Sequence, residues 1–200
     1  MASVILSCGL DEAGRGPLAG PVTAGAVVLP PDFPVEILAD SKRLSEKRRV
    51  AAERVIKERA LWGIGIVDHE TIDRMNILNA SMYAMWLAFD MLRARFDRWC
   101  AAHGIERDAK ITAVVDGTVV PQAVAALCPC RPEVKADAHF PEVMAASIIA
   151  KVERDRIMTA YDAEYPQYGY AKHKGYPTPA HKAACRQFGP SPIQRLTFSY

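Results

Sequence analysis

Residues 11–17 read Asp-Glu-Ala-Gly-Arg-Gly-Pro (DEAGRGP), and they directly follow an apolar run at residues 4–10. The run predicts a β-strand, and the glycines that come after it predict a tight turn. In α/β proteins, ligands and metal ions gather just beyond the ends of strands. We therefore take this stretch as the first candidate functional site.

The residue types in this stretch indicate phosphodiester chemistry. Asp11 and Glu12 together suit a hard divalent cation such as Mg²⁺, which prefers oxygen ligands. Gly14 and Gly16 let the backbone approach a ligand closely, and Arg15 offers a planar set of donors to a phosphate. An acidic loop without a function is the structural alternative, because short motifs also occur by chance.

Composition restricts the class of protein. The chain has 200 residues, which suits one domain, and its hydrophobic and charged fractions of 50% and 24% are typical of globular proteins. A net charge of +2 means that any basic surface for nucleic acid must be local. No long uncharged apolar run predicts a membrane span, and the N-terminus lacks the basic region of a signal peptide.

The five cysteines are odd in number and irregularly spaced, which predicts reduced thiols and a cytoplasmic location. Cys128 and Cys130, with His139 nearby, suggest zinc only weakly. A second cysteine pair at zinc-finger spacing is missing from the sequence, so we interpret these cysteines as buried or loop thiols.

Hydrophobic periodicity predicts a mixed β-sheet flanked by helices. The predicted strands are residues 4–10, 22–29, 61–67, 111–115 and 133–136. The predicted helices are residues 45–60 with Ser45 as N-cap and residues 51, 52, 55 and 56 inside, 77–103, 142–165, and a short helix from Thr178-Pro179 to Gly189.

Four carboxylates are expected to converge at one edge of this sheet, since they follow three predicted strands. They are Asp11, Glu12, Asp116 and Asp137. Like charges this close repel and raise one another's pKa, and divalent cations remove that cost. The set therefore predicts a site for two metal ions, which together can activate a water and stabilise a leaving oxygen.

Other charged and aromatic residues complete the prediction. We interpret Asp68, Glu70 and Asp73 as helix caps and solvated charge. Lys42 is the expected phosphate contact of a basic cluster at the start of the first helix. Tyr176, between a glycine and a proline, is either a rigid platform for a sugar or base or a residue packed on the short C-terminal helix.

Six blocks of the sequence, in order, closely resemble the ribonuclease HII family, the type 2 ribonucleases H. They are residues 11–22, 40–45, 72–78, 115–117, the pair 135–137 and 145–156, and 173–178. The resemblance runs from about residue 6 to residue 198. It implies a ribonuclease H-like fold in a single domain over residues 1–200, with a small helical C-terminal part from about residue 166.

The resemblance also implies an activity. It implies endonucleolytic cleavage of the RNA strand of RNA–DNA hybrids, and incision of duplex DNA at embedded ribonucleotides, leaving 5′-phosphate and 3′-hydroxyl ends. By motif, Asp11, Glu12, Asp116 and Asp137 hold Mg²⁺ or Mn²⁺. The loop of Gly14, Arg15 and Gly16 senses the 2′-hydroxyl through its backbone, and Tyr176 reads the RNA-to-DNA junction.

We expect Lys42 and Lys174 to position substrate phosphates, and we expect a monomer without a membrane partner. Two alternatives stand beside this interpretation. One is another metal nuclease of the same fold, such as a type 1 ribonuclease H or a resolvase, and the other is a non-catalytic nucleic-acid binding module, which predicts the loss of one or more of the four carboxylates. A nucleotide-binding protein is excluded, because no Walker-type lysine follows Gly14 and Gly16 and a strand rather than a helix comes after them. The sequence departs from the family pattern at Thr118, in the length of the 118–133 loop, and at Gln194.

Overall fold

The computed structural model describes residues 4–38, 44–105 and 108–199, and it contains a five-stranded mixed sheet in the order β3-β2-β1-β4-β5. Strand β1 pairs antiparallel with β2 and parallel with β4; β2–β3 is antiparallel and β4–β5 parallel. The strands are β1 Ile5–Ala13, β2 Val22–Val28, β3 Leu61–Val67, β4 Lys110–Asp116 and β5 Cys130–Glu133.

Helices cover both faces of the sheet, which confirms the predicted fold class. They are α1 Glu46–Arg59, α2 His69–Met75, α3 Ile77–Arg93, α4 Phe96–Ala102, α5 Gln122–Ala125, α6 Pro141–Glu164, α7 Tyr170–His173 and α8 Pro179–Phe188. Short 3₁₀ helices span Val35–Leu38, Ala136–Ala138 and Pro166–Tyr168. In the part of the chain described, no helix combines the length and apolar character that a membrane crossing requires.

Two hydrophobic cores lie on opposite faces of the sheet. Helix α3 packs on one face, where Met85 and Phe89 contact a cluster that includes Leu10 of β1. Helices α1 and α6 pack on the other face, where Ile56 and Ile149 share a cluster. The residues of β2 alternate between the two cores, since Ala26 and Val28 belong to the first cluster and Val27 to the second, as the twofold period of a strand requires.

Helix α3 lies unusually close to strand β3 because two strand residues lack side chains. A Cβ atom at Gly63 or Gly65 would overlap the carbonyl oxygen of Ala88 or Ala84 of the helix. Glycine weakens a strand on its own, so the close packing of the helix is the reason why these positions tolerate it. The predicted strand at residues 61–67 is confirmed.

The predicted single helix over residues 77–103 is wrong, because the chain bends between α3 and α4. Arg95 stands at the bend, where its guanidinium lies 4.9 Å from the ring centroid of Trp62 and donates to the carbonyl of the same tryptophan. The change of direction buries Phe96 and Cys100 against the α3 core. Tertiary packing therefore overrides the local helical pattern.

The predicted helix ends agree well with the structure. Ser45 caps α1 by accepting from the Arg48 amide at 3.4 Å, and Thr178 caps α8 by accepting from the His181 amide at 3.2 Å. Ala52 and Ile56 are buried as expected, whereas the predicted core residue Ala51 is exposed. Unexpectedly, the charged Glu53 is buried on the inner face of α1.

We expect Gly65→Ala to lower the free energy of unfolding by about 2 kcal/mol or more, since the new methyl group must push α3 off the sheet. Urea denaturation followed by circular dichroism measures this loss. Ile66→Val, at the neighbouring exposed position, is the control and should change stability by less than about 0.5 kcal/mol. Equal midpoints for the two variants would contradict the packing argument.

Candidate active site

Three carboxylates meet at the edge of the sheet where strands β1 and β4 end. Asp116 is the last residue of β4, Asp11 lies two residues before the end of the neighbouring parallel strand β1, and Asp137 lies on the 3₁₀ helix before α6. One oxygen atom from each residue lies within 4.8 Å of the other two. The structure therefore brings together three of the four predicted metal ligands.

Asp137 reaches this cluster by a route that the sequence does not predict. The predicted strand over residues 133–136 is wrong, because β5 ends at Glu133 and residues 136–138 form a 3₁₀ turn. Asp116 holds this turn in place, as its Oδ1 accepts from the Ala136 amide at 2.8 Å. One acid of the cluster thus positions the segment that carries another.

Burial makes the cluster electrostatically costly in the absence of a cation. Asp11 and Asp137 are each only 5% exposed. Burial raises the pKa of Asp11 well above its usual range, and the charges of Glu12 and Asp116 add to this, while hydrogen bonds from Ser147 and the Glu12 amide oppose it. Three hard oxygen donors with unfavourable mutual repulsion fit a divalent cation of the Mg²⁺ or Mn²⁺ type.

Glu12 belongs to a different part of the site. Strand β1 continues through Ala13, so Asp11 and Glu12 occupy consecutive strand positions and leave the sheet on opposite faces. Burial raises the pKa of the Glu12 carboxyl, and Arg15, whose Nη1 lies 3.3 Å from Glu12 Oε1, opposes this rise. Among the described residues, Glu12 is not one of the three clustered carboxylates.

A cavity of about 400 Å³ is lined by Glu12, which follows Asp11 in β1, and by Ser147, which hydrogen-bonds to Asp11. It contains both of the predicted recognition elements, the loop of residues 14–16 and the ring of Tyr176, which is 40% exposed. Among the described residues, Ser147, Ile148 and Lys151 also line it, which the sequence interpretation did not single out. Arg49 lines it too, although the sequence analysis placed it only in the basic cluster at the start of the first helix. The ring of Tyr176 is therefore accessible from the cavity.

The loop from Gly14 to Pro21 is held from behind by the guanidinium of Arg195. This side chain is completely buried and donates five hydrogen bonds to backbone carbonyls of the loop. The acceptors are Gly14 at 2.7 Å, Arg15 at 3.2 Å, Pro17 at 2.8 Å, Gly20 at 2.9 Å and Pro21 at 3.0 Å. Burial and the nearby Arg154 charge lower the pKa of Arg195 to about 9, so it remains charged at neutral pH.

A second buried arginine, Arg154 of α6, joins this loop to the segment that carries Tyr176. It donates to the carbonyls of Ala19 and Pro21, and to that of Lys174 at 2.9 Å. Gly14, at a φ of +105°, leaves room for it, because a Cβ there would overlap the Arg154 side chain. The two recognition elements are thus fixed relative to each other.

Further hydrogen bonds hold the Tyr176 segment against the loop. The Leu18 amide donates to the Gly175 carbonyl at 2.8 Å, and the His181 Nδ1–H donates to the Tyr176 carbonyl at 3.0 Å. His181 is buried and stacks on His173 with ring centroids 4.5 Å apart. Burial lowers the pKa of His181, which favours the neutral form of the ring.

The C-terminal segment delivers Arg195 to its position by pairing with the loop. The Gly20 amide donates to the Ile193 carbonyl at 2.9 Å, and the Arg195 amide donates to the Leu18 carbonyl at 2.8 Å. Gln194, where the sequence departs from the family pattern, is buried and forms a β-bridge with Ala19. The departure is thus compatible with this pairing.

Asp73 tethers the same segment, which corrects its interpretation as solvated charge. Its carboxylate accepts from the Leu196 amide at 2.8 Å, and from the amide and hydroxyl of Thr197 at 3.1 and 2.5 Å. These bonds lower the pKa of Asp73 although partial burial opposes them. The interpretation of Asp68 as a helix cap is confirmed, since it accepts from the Thr71 amide at 2.7 Å.

The two predicted phosphate-binding lysines have different outcomes. Lys174 Nζ donates to Thr159 Oγ1 at 2.9 Å and to the Ala171 carbonyl at 2.8 Å, so two of its three donors serve the protein. Lys42 lies outside the described residues. Lys151 and Arg49 are the basic residues besides Arg15 that the structure brings to the cavity.

Comparison with known proteins gives a consistent family assignment. The sequence profile for Ribonuclease HII matches residues 8–200. The chain is 46% identical over 196 residues to Ribonuclease HII of Treponema denticola, with 96% of each chain covered. Its fold is similar to ribonuclease H2 from Pyrococcus horikoshii, with a TM-score of 0.68, 28% identity, and 97% and 94% of the two chains covered.

A further solved structure has the same fold at lower identity. It is the PCNA:RNase HII complex from Archaeoglobus fulgidus, with a TM-score of 0.70 and 23% identity. The match covers 98% of this chain and 96% of that one. The similarity of fold therefore extends over nearly the whole of both chains.

We expect Arg195→Lys to lower the free energy of unfolding by about 3 kcal/mol or more, because an ammonium cannot reach carbonyls that a planar guanidinium bonds together. Urea denaturation measures the loss. Arg186→Lys, on the exposed face of α8, is the matched control and should have little effect. An Arg195→Lys midpoint equal to that of the control would mean that the loop does not depend on the guanidinium.

Proposed function

The chain belongs to the ribonuclease HII family, whose members are metal-dependent ribonuclease H endonucleases, and on this premise we propose its substrates. It cleaves the RNA strand of RNA–DNA hybrids and incises duplex DNA at single embedded ribonucleotides. The products carry 5′-phosphate and 3′-hydroxyl ends. The observation that carries the proposal is the carboxylate cluster, which adjoins a cavity lined by residues 14–16 and Tyr176.

Asp11, Asp116 and Asp137 hold the divalent cation, and Glu12 contributes from the adjacent strand position. The chemistry of the donor set supports this, because all three clustered residues offer hard oxygen atoms and two of them are almost completely buried. A bound Mg²⁺ or Mn²⁺ supplies charge neutralisation and a more acidic water. Ser147 keeps Asp11 oriented by donating a hydrogen bond to its carboxylate.

The loop of residues 14–16 recognises the 2′-hydroxyl of the ribose, which is the group that distinguishes RNA from DNA at one nucleotide. Arg195 donates hydrogen bonds to the carbonyls of Gly14 and Arg15 from the protein side of the loop. The opposite side of the loop is therefore the one that binds the substrate. Tyr176 lies across the same cavity and stacks on the sugar that follows the ribonucleotide. Recognition thus uses a rigid backbone and one aromatic ring.

Basic residues bind the substrate backbone, so the affinity falls as the salt concentration rises. Lys42 is one proposed contact, and the remaining N–H of Lys174 is another. We also propose that residues 1–200 form a single catalytic domain that acts as a monomer. A cytoplasmic location agrees with the five free cysteines of the structure.

We expect Asp11→Asn to reduce incision of a duplex with one ribonucleotide by at least about 100-fold, since metal charge stabilisation is worth several kcal/mol. Denaturing electrophoresis of a labelled duplex measures the rate with and without Mn²⁺. Asp97→Asn should cleave normally, because Asp97 is exposed on α4 and lines a separate cavity with Ala109, just before the start of β4. A type 1 ribonuclease H would leave the single-ribonucleotide duplex uncut and cleave only longer RNA tracts.

The same variant has a second measurable property. Neutralising a buried carboxylate removes repulsion, so the metal-free melting temperature of Asp11→Asn should equal or exceed that of the parent. Added Mn²⁺ should raise the melting temperature of the parent and not that of the variant. Near-normal cleavage, or an undiminished response to Mn²⁺, would contradict the proposed ligand role.

We expect Tyr176→Ala to slow incision at a single ribonucleotide by about 5- to 150-fold, since stacking is worth about 1–3 kcal/mol. Tyr176→Phe keeps the ring and should lose much less. Tyr83→Ala is the control, because Tyr83 on α3 is exposed to nearly the same extent, 41% against 40%. Parent-like rates for Tyr176→Ala would exclude the proposed reading of the junction.

A further inference from the structure

Three polar residues of α6 follow one another at intervals of four, which places them in a row along one side of the helix. Ser147 contacts Asp11 of the carboxylate cluster. Lys151 lies one turn further along and lines the cavity with Ser147. Asp155 comes one turn after that and is only 6% exposed. The row thus leads away from the carboxylates, past Lys151 at the cavity wall, to the buried Asp155.

Asp155 holds two cations that come from two different helices. Its Oδ1 lies 2.5 Å from Lys151 Nζ of α6, and its Oδ2 lies 3.8 Å from Arg49 Nη2 of α1. Arg49 is fixed further by donating from Nη1 to the Leu44 carbonyl at 2.5 Å. The buried carboxylate therefore restricts both cations to positions in which they line the cavity.

The charges of this group do not cancel. Among the described residues, two cations share a single carboxylate, which leaves one positive charge at the cavity wall, whereas Arg15 and Glu12 on the loop side compensate each other. The Lys151 side chain is 31% exposed and that of Arg49 is 18% exposed, while that of Asp155 is 9% exposed. An anionic ligand in the cavity would therefore meet the cations and not the carboxylate.

A purely structural role between α1 and α6 is already filled by a second group of charges. Glu53 of α1 binds Lys57 at 2.7 Å and Arg156 of α6 at 3.0 Å. In the described chain, none of these three residues lines the cavity beside the carboxylates. Joining the two helices thus does not require the cations of Arg49 and Lys151 to reach that cavity.

We propose that Arg49 and Lys151 bind a phosphate of the duplex beside the cleaved linkage, and that Asp155 is the positioning residue for both. The inference rests on the proposed function, because the cavity is taken as the substrate site. Arg49 supplies a planar set of donors and Lys151 a point charge, which are the two common modes of phosphate binding. The ligand class is a phosphodiester backbone.

The first test measures binding of a fluorescent duplex with one ribonucleotide, by anisotropy in EDTA at several KCl concentrations. Lys151→Met should weaken binding about tenfold and reduce the slope of log Kd against log salt by about 0.9, the value for one phosphate contact. Arg49→Gln should behave likewise. Lys151→Gln serves as a second variant should the apolar side chain impair folding.

Lys110→Met is the matched control, because Lys110 is exposed at the start of β4, far from the carboxylates, and its loss changes the net charge equally. Its salt slope should stay within error of the parent. If Lys151→Met and Lys151→Gln both give the Kd and slope of Lys110→Met, the inference is wrong. Metal-dependent incision by the parent would then still support the proposed function, and its absence would remove that function.

The second test separates positioning from simple structural support. Asp155→Asn leaves Arg49 and Lys151 in the protein but removes the carboxylate that holds their side chains in place. The KM for the duplex should therefore rise about tenfold while kcat changes much less. The slope of log Kd against log salt should be largely retained. Asp155→Glu should recover part of the loss. A fall in kcat together with the melting temperature, with KM unchanged, would show that Asp155 only supports the fold.

Discussion

The buried guanidinium of Arg195 is the interaction on which the rest of the site depends. A loop without regular structure leaves its carbonyl groups unpaired, and a charged side chain without partners cannot be buried cheaply. In this structure the loop carbonyls and the guanidinium satisfy each other, since Arg195 donates five hydrogen bonds to carbonyls between Gly14 and Pro21. The loop is therefore held from the protein side, and its outer side is presented to the cavity in one conformation.

This arrangement explains why the C-terminal segment is part of the site although it lies far from the carboxylates in sequence. Backbone pairing of residues 193–195 with residues 18–20 places Arg195, and the Asp73 carboxylate secures the residues that follow. Arg154 extends the same network to the carbonyl of Lys174, two residues before Tyr176. Loop, aromatic platform and C-terminus form one hydrogen-bonded unit.

The sequence predicted the features that local patterns determine, and it did not predict those that depend on contacts with residues distant in sequence. Strand β3, the caps Ser45 and Thr178, and the approach of Asp11 to Asp116 follow from periodicity and strand order. The bend at Arg95 depends on Trp62, and the turn that carries Asp137 depends on Asp116. Arg195 bonds Gly14 across 181 residues, and no local pattern distinguishes such an arginine from an exposed one. The place of Lys151 in the site could have been predicted from the sequence, because its spacing of four from Ser147 places both residues on one side of a helix.

Helix α6 gives the site its geometry because it touches every part of it. Its 24 residues span about 36 Å as one rigid element. Ser147 meets Asp11, Lys151 lines the cavity, and Arg154 lies behind the recognition loop. A difference of one hydroxyl group between ribose and deoxyribose offers little binding energy, so the loop must not adapt to the wrong sugar. Fixing the loop, the cations and the carboxylates to the same helix meets that requirement, since none of them can move without the others.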